Sequence, residues 1–320
     1  MKYKLVMTEN NVKYIESSIE DRNGVVQRVD AIDFDAYSPE NIDDMGEYID
    51  LRGELGRMER VIERADKPYL IYGVKGTGKT NLIHYVCRKN KKALIEFNCG
   101  VGTSKSDLQG RLQVDQEGSY FQRGIFPLAF EVANHFKHAV LYLDEVGALE
   151  EDVQKWVNRP LDKRNSCMAG GQIYKLNEGC KLSIIATTNP VEYAGVNNLT
   201  EDLKSRFIGS VWDYPSSEEV ERVIDWTDIP EDFVKAPLLV MAQDTYSLKV
   251  KGDLEYVLSP RDLIQFTEVY RDISEDYSDK NESDILEVAI KEAILIKYTD
   301  PTERELVKAR AQETFGVSFT

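Results

Sequence analysis

Residues 73–80 read Gly73-Val74-Lys75-Gly76-Thr77-Gly78-Lys79-Thr80, a full match to G-x-x-x-x-G-K-[ST]. A chance match in a chain of this composition has odds on the order of one in a hundred. The setting constrains the fold further. The apolar run Tyr69-Leu70-Ile71-Tyr72 precedes the motif, and a helical pattern begins at Lys79. A strand, a glycine-rich turn and a helix start in that order form an anion cradle. The glycines let several N–H groups point at one phosphate, and the helix N-terminus adds partial positive charge. Lys79 is placed to reach β- and γ-phosphates, and the Thr80 hydroxyl suits Mg²⁺. Gly73, Lys75, Gly76, Thr77, Gly78, Lys79, Thr80 and Asn81 therefore form the candidate phosphate-binding set, with ATP and Mg²⁺ as the expected ligands.

The chain around the motif alternates. Helical Leu51–Ala65 is followed by the run at 69–72, a helix from Lys79, the strand-like Ala93–Phe97 and helical Phe126–Phe136. Ala139–Leu143 is a continuous apolar run of strand length. Helical Glu150–Arg164 and strands at Leu182–Thr187 and Phe207–Trp212 complete the series. Short, fully apolar strands alternating with helices predict a parallel sheet covered on both faces. From about 216 the pattern is helical. Ser259-Pro260 opens one helix and Ser283-Asp284 another, with Leu286, Ala289, Ile290, Ala293 and Ile294 on one face. Before the alternation, residues 1–50 read as short strands around Glu9-Asn10-Asn11 and Asp21-Arg22-Asn23-Gly24. The expected organisation is an N-terminal β-rich extension and linker over 1–50, an α/β domain over 51–213 and an all-helical domain over 214–320.

Charge sharpens this division. The net charge is −16, which disfavours a broad nucleic-acid surface. Residues 51–210 carry +4, whereas residues 1–50 carry −7 and 211–320 carry −13. A mildly positive centre between acidic flanks suits a small anionic ligand, and solvated acidic faces at both ends would give the same balance. No run approaches the roughly 18–20 apolar residues of a membrane span, and the start lacks the apolar core of a secretory signal. The expectation is a soluble, cytoplasmic protein. Cys87, Cys99, Cys167 and Cys180 have no C-x-x-C spacing, and nothing completes a metal set around His135 and His138.

The phosphate cradle alone does not separate kinases from hydrolases; the next element does. Ala139–Leu143 ends in Asp144-Glu145. A parallel strand delivers Asp144 to the carboxyl edge of the sheet, where a carboxylate can hold the Mg²⁺ shell. Glu145 can then orient and deprotonate a water. Leu182–Thr187 runs into Thr188-Asn189-Pro190, so Asn189 reaches the same edge, either as a contact to phosphate or water or as a turn residue before proline. Arg206, in Lys204-Ser205-Arg206-Phe207, suits charge neutralisation on a transferring phosphoryl group, in cis or in trans, or a surface salt bridge.

P-loop, Asp-Glu, Thr-Asn-Pro and Arg-Phe in this order resemble an AAA+ ATPase, and the chain is most similar to the MoxR-type branch with its CbbQ/NorQ-like and gas-vesicle relatives. Further stretches carry the likeness: Ser106–Gly110 with Arg123-Gly124, Leu143–Val146 leading into Pro160-Leu161-Asp162-Lys163-Arg164, Ala186–Tyr193, and Asp213-Tyr214-Pro215. The resemblance covers roughly 51–270. It implies that Asn189 is the first sensor residue, that Arg206 is an arginine finger acting on a neighbouring subunit's nucleotide, and that Arg261 in Ser259-Pro260-Arg261 is the second sensor residue. An arginine at a helix start opposes the dipole unless a phosphate, or a local carboxylate such as Asp262, compensates. Asn98 either restrains Glu145 or ends its strand as a turn residue. Gly170–Gly179 resembles the hairpin that precedes the first sensor strand, and Tyr120-Phe121 lies in a segment that in such rings can face a pore. Lys75 stands where relatives often carry proline or glycine and adds positive charge.

Together these features imply an ATP-hydrolysing remodelling ATPase or chaperone of the MoxR type, assembled as a homo-oligomer, with a hexameric ring expected. Its catalytic set is Glu145, Arg206, Asn189, Arg261 and Lys79, with Thr80 and Asp144 at the metal. The implied client is a protein, either one with a von Willebrand A-like domain or a metalloenzyme. A DNA-directed AAA+ motor and a nucleotide-gated assembly scaffold are the alternatives.

Overall fold

A computed structural model of the chain describes residues 2–7, 13–20, 26–116, 118–162, 166–190, 197–229, 232–276 and 281–319. The turns expected at 9–11 and 21–24, together with Lys163-Arg164 and Val191–Tyr193, lie outside the described residues. The chain divides into two units.

The first unit comprises residues 1–48, 53–73 and 79–212. Its elements are β1 (Lys2–Met7), β2 (Lys13–Glu20), β3 (Val26–Ile32), α1 (Glu54–Arg64), β4 (Tyr69–Gly73), α2 (Lys79–Lys89), β5 (Ala93–Asn98), α3 (Lys105–Gln109), β6 (Gly110–Asp115) and β7 (Gly118–Arg123). There follow α4 (Ile125–Phe136), β8 (His138–Asp144), α5 (Glu151–Val157), β9 (Ser166–Ala169), β10 (Gln172–Lys175), β11 (Lys181–Thr188), α6 (Glu201–Lys204) and β12 (Ile208–Trp212). The central sheet has the order β12-β4-β11-β8-β5, and every pairing in it is parallel. Its strands are apolar on both sides because both faces are covered. One face packs Met58 and Ile62 of α1 and Leu82, Ile83 and Val86 of α2 against Tyr69, Ile71, Val140, Tyr142 and Ile185. The other packs Phe126, Phe130 and Val132 of α4 against Ile95, Leu141, Ile184 and Ala186. Complete burial of a Phe or Leu at these positions contributes about 1.5–3 kcal/mol each. The parallel sheet with helices on both faces, expected from the apolar runs, is thus present.

Several boundaries differ from the pattern reading. The first helix starts at Glu54 rather than Leu51, after Gly53 in a left-handed conformation (φ 73°). α5 is seven residues long and ends at Val157, well before Arg164. The hairpin after it is β9–β10, turning at Gly170-Gly171, whose positive φ angles permit a two-residue turn; Asn177–Gly179 lies beyond it. Residues 1–48 do not stand apart as an extension. β1, β2 and β3 pair in antiparallel order, and β3 joins β7 in parallel to give the five-stranded sheet β1-β2-β3-β7-β6. Phe121 of β7 is 4% exposed and packs under Gly170, so it belongs to the core rather than to a pore surface. The four cysteines are free and buried, and burial pushes the Cys87 and Cys167 thiols up to about 12. His135 stacks on Phe34 at 4.1 Å, and His138 Nε2 meets Ser183 Oγ at 2.9 Å.

The second unit comprises residues 49–52, 74–78 and 213–320. It contains α7 (Ser217–Trp226), α8 (Asp232–Lys251), α9 (Pro260–Asp276), α10 (Glu282–Ala289) and α11 (Pro301–Phe315). Its core gathers Leu238, Met241, Phe266, Tyr270, Ile290, Tyr298 and Val307. α10 starts at Glu282 under an Asn281 cap, and Leu286, Ala289, Ile290, Ala293 and Ile294 are all buried, so the expected face is the packed one. The small all-helical domain is present, and it also holds the short segment 74–78. Among the described residues no helix is long and apolar enough to cross a membrane.

A buried ion pair fastens β3 to β7. The Arg123 side chain is 1% exposed, with Nη1 2.7 Å from Asp30 Oδ1. The Arg123 N–H also donates to Asp30 Oδ1 at 3.1 Å. Burial holds the Asp30 carboxyl above its ordinary range despite the guanidinium beside it. Asp30→Ala removes the carboxylate beside a buried guanidinium and is expected to cost ~3 kcal/mol, measured by urea unfolding. Glu313→Ala, which removes a solvent-exposed pair with Arg310, changes the same midpoint far less.

Candidate nucleotide site

Because every strand of the central sheet runs the same way, Gly73, Asp144 and Thr188 end at one edge. β11 lies between β4 and β8, so the residue after it emerges between the motif strand and the Asp144 strand. That residue is Asn189, 4% exposed. Its Oδ1 accepts from Lys79 Nζ at 3.1 Å, and its Nδ2 donates to Glu145 Oε1 at 3.1 Å. The amide satisfies both only in this orientation, since an ammonium donates and a carboxylate accepts. Lys79, itself 9% exposed, also donates to the Gly73 carbonyl at 2.8 Å. One amide therefore joins Lys79 to Glu145, two residues expected at opposite ends of the chemistry.

Glu145 takes a left-handed backbone conformation (φ 53°) and opens the turn Val146–Ala148. For a residue with a Cβ this costs roughly 1–2 kcal/mol. Non-glycine residues held there cluster at functional sites. The turn is held from below. Asp144 Oδ1 accepts the Glu145 N–H at 3.1 Å and the Thr187 hydroxyl, and the same N–H reaches Thr187 Oγ1 at 3.2 Å. Asn98 plays no part in this arrangement. It is exposed at the end of β5, in keeping with the strand-end alternative, and the Glu145 carboxylate is held by Asn189 instead. Its neighbour Cys99 donates its N–H to the Asp144 carbonyl at 2.8 Å. Burial, reinforced by Asp144 and Glu145, pushes that thiol up to about 12, so it stays protonated at neutral pH.

The oxygen donors also converge. Thr80 Oγ1 lies 3.1 Å from the Tyr142 hydroxyl, which lies 3.4 Å from Thr187 Oγ1. Burial pushes the Tyr142 phenol well above its ordinary range, so it remains a hydroxyl. A threonine hydroxyl and an aspartate carboxylate are hard oxygen ligands, the chemistry that Mg²⁺ prefers with water and phosphate completing its shell. The residues present fit that ion. Tyr142 and Thr187 are the site residues that the sequence reading missed. Their only signal was a hydroxyl within each of two largely apolar strands.

Motif residues 74–78 belong to the second unit. Gly76 and Gly78 have φ of 76° and 83°, and Thr77 Oγ1 donates to the Val74 carbonyl at 3.0 Å. Lys75 is exposed and Asn81 is half-buried on α2. The segment rests on the start of α9: the Arg261 N–H donates to the Gly76 carbonyl at 3.3 Å. Asp262 is 2% exposed and fully engaged. It accepts from the Ser259 N–H and hydroxyl and from Tyr256, and it lies 3.3 Å from Lys297 Nζ. The local carboxylate is thus committed to Ser259, Tyr256 and Lys297 rather than to Arg261. The Arg261 side chain is exposed, with no ion pair among the described residues.

Arg206 lies elsewhere in the first unit. It stands two residues before β12, whose first N–H (Ile208) donates to the Pro68 carbonyl at 3.1 Å, and it lines a cleft with Pro68, Asp162, Leu182 and Phe207. Asp162 Oδ1 is 3.9 Å away, and the guanidinium is 40% exposed. This is the amino edge of the sheet. The five residues of β4, at ~3.3 Å each, separate it by roughly 15 Å from the edge that carries Lys79 and Asp144.

Comparisons with known proteins agree with this geometry. The profile of the AAA domain, dynein-related subfamily, matches residues 68–207. The protein CbbQ of Hydrogenophilus thermoluteolus is 27% identical over 165 residues, covering 49% of this chain and 57% of CbbQ. The denitrification regulatory protein NirQ of Pseudomonas aeruginosa is 27% identical over 216 residues, covering 65% of this chain and 79% of NirQ. Among solved structures, a variant of Thermotoga maritima RuvB superposes with a TM-score of 0.51 at 16% identity, covering 85% of this chain and 84% of that one, a likeness of fold alone. A parallel sheet bearing a P-loop, an Asp-Glu pair and a bridging asparagine defines an AAA+ nucleotide-binding domain. Within that class the chain is similar to the curated proteins CbbQ, NirQ and NorQ.

The packing of the motif gives a direct test. A Cβ on Gly76 would lie 2.1 Å from Ser259 Oγ, at a φ that L-residues avoid. Gly76→Ala is expected to lower the thermal midpoint by several degrees and to weaken ADP binding at least tenfold. Gly171→Ala has comparable φ strain but open space around it, and should leave ADP binding unchanged.

Proposed function

We propose that the protein is an ATP-hydrolysing AAA+ remodelling ATPase that works as a homo-oligomeric ring, a hexamer, on a protein client. The observation that carries the reading is the Lys79–Asn189–Glu145 chain of hydrogen bonds. An asparagine that senses the γ-phosphate through Lys79 and holds the general base is suited to hydrolysis gated by the nucleotide. When ATP draws Lys79 towards its phosphates, Asn189 loses one anchor and Glu145 is released to accept a proton from water. Thr80 and Asp144 would hold Mg²⁺, which supplies charge neutralisation at the phosphate oxygens. The motif 73–80 binds the triphosphate, and Arg261, whose N–H meets the Gly76 carbonyl, has no ion pair among the described residues, as suits a phosphate-seeking guanidinium.

The place of Arg206 supports a shared site. Roughly 15 Å of strand separates it from its own phosphate-binding edge, so it is better sited to serve a neighbouring copy. An arginine finger acting in trans is worth on the order of 10³–10⁵ in turnover. The acidic second unit and the N-terminal sheet are the proposed client-facing surfaces, and a von Willebrand A-like protein or a metalloenzyme is the kind of client proposed by likeness to relatives of this branch.

Arg206→Ala is expected to reduce ATP turnover about 10³-fold while ADP affinity stays within threefold, measured by phosphate release and by titration with a fluorescent ADP analogue. Glu145→Gln should likewise bind but not turn over. Mixing the two inactive variants should restore activity, because each supplies the group the other lacks. Turnover at the wild-type rate by Arg206→Ala alone would refute the shared site.

A further inference from the structure

The buried hydroxyls of Tyr142 and Thr187 form a second layer beneath the candidate metal ligands. Tyr142 sits two residues before Asp144 on β8, and Ile185 lies opposite it on β11. Side chains alternate along a strand, so Tyr142, Asp144, Thr187 and Asn189 share the face that α2 covers. Tyr142 and Thr187 are both 0% exposed. A hydroxyl buried among Ile71, Leu82 and Val140 is costly unless it is hydrogen-bonded, and packing alone would be served as well by Phe and Val.

The order of the bonds fixes the direction of the Thr187 and Thr80 protons. Asp144 can only accept, so the Thr187 hydroxyl donates to it. Having spent its proton, Thr187 accepts from the Glu145 N–H at 3.2 Å, and the Tyr142 hydroxyl lies 3.4 Å away, the longest link. The Tyr142 phenol also hydrogen-bonds the Asp144 carboxylate, so its proton goes to Thr187 or Asp144, and in either case it accepts from Thr80 at 3.1 Å. The chain therefore runs from Thr80 through Tyr142 to Asp144, directly or by way of Thr187. Its result is that the Thr80 proton points inwards and the lone pairs of Thr80 Oγ1 are left for a cation.

We infer that Tyr142 and Thr187 are positioning residues that orient Thr80 and Asp144 as a pair of Mg²⁺ ligands, with Thr187 also holding the backbone turn that presents Glu145. The inference rests on the nucleotide-binding reading above and names residues beyond it. Groups that orient metal ligands from behind are typically worth 10–100-fold in metal affinity.

The test measures Mg²⁺ rather than turnover. A fluorescent ADP analogue is titrated into the full chain, first in EDTA and then across a Mg²⁺ series at fixed nucleotide. Tyr142→Phe should leave the EDTA affinity within twofold and raise the Mg²⁺ midpoint about tenfold. Thr187→Val should raise it at least as far, whereas Thr187→Ser, which keeps the hydroxyl, should restore it to within twofold of wild type. Circular dichroism and thermal melting without Mg²⁺ identify the folded variants. Should Tyr142→Phe misfold, the Val and Ser variants at 187 carry the same comparison. An unchanged Mg²⁺ midpoint in folded Tyr142→Phe and Thr187→Val would overturn the inference. So would an equal loss of affinity in EDTA, which would mean a packing defect. If the wild-type chain itself binds no ADP analogue, the nucleotide-binding reading fails and takes this inference with it.

Discussion

The site depends on one topological fact: β11 is inserted between β4 and β8. Strands ~4.8 Å apart place the three carboxyl ends within side-chain reach of one another. From that central strand Thr187 reaches Asp144 on one side, and Asn189 bridges Lys79 and Glu145. Were β11 at the edge of the sheet, neither residue could join the motif helix to the Asp-Glu turn. The pleat does the rest, because residues 187 and 189 are two apart and so face the same way.

The polar groups beneath the site are buried and paired, which is the condition under which they order a structure rather than weaken it. Glu145 is held in a left-handed conformation by its N–H bonds to Asp144 and Thr187, and the core around Leu141 and Leu143 makes that turn rigid. In the second unit Asp262 has the corresponding role. It caps α9 through Ser259, draws in Lys297 and Tyr256, and leaves Arg261 exposed at the Gly76 carbonyl. In both places a hydrogen-bonded carboxylate organises a loop beside a charged neighbour, Glu145 or Arg261.

Much of this was legible in the chain. The apolar runs at 69–72, 139–143 and 182–187 all became central strands, since a strand covered on both faces tolerates few polar residues. The P-loop and Asp144-Glu145 read directly because their spacing is short and their residue types narrow. What failed to read depended on distant partners. Residues 1–48 appeared separate because nothing local shows that β3 will pair with β7 or that Asp30 will meet Arg123, 93 positions away. The hairpin over Gly170–Gly179 carries two turn-prone stretches, Gly170-Gly171 and Asn177–Gly179, and only the pairing of β9 with β10 shows that the first one turns it. Asn98 and Asn189 stand at the ends of β5 and β11, which both flank β8, so only the packing beyond the strands shows which one reaches Glu145.

The sequence by itself determined the phosphate cradle, the carboxylate pair and the alternation of strands and helices, because each is set by neighbours within a few residues. Tertiary structure alone decided which asparagine bridges the site, which hydroxyls stand behind Thr80 and Asp144, and which carboxylate is kept from Arg261. Those outcomes rest on strand order and on contacts between residues tens of positions apart, and no local pattern encodes them. The placing of Arg206 at the far edge of the sheet is of the same kind: a parallel strand has two ends, and only the pairing of β12 with β4 says which end the arginine occupies.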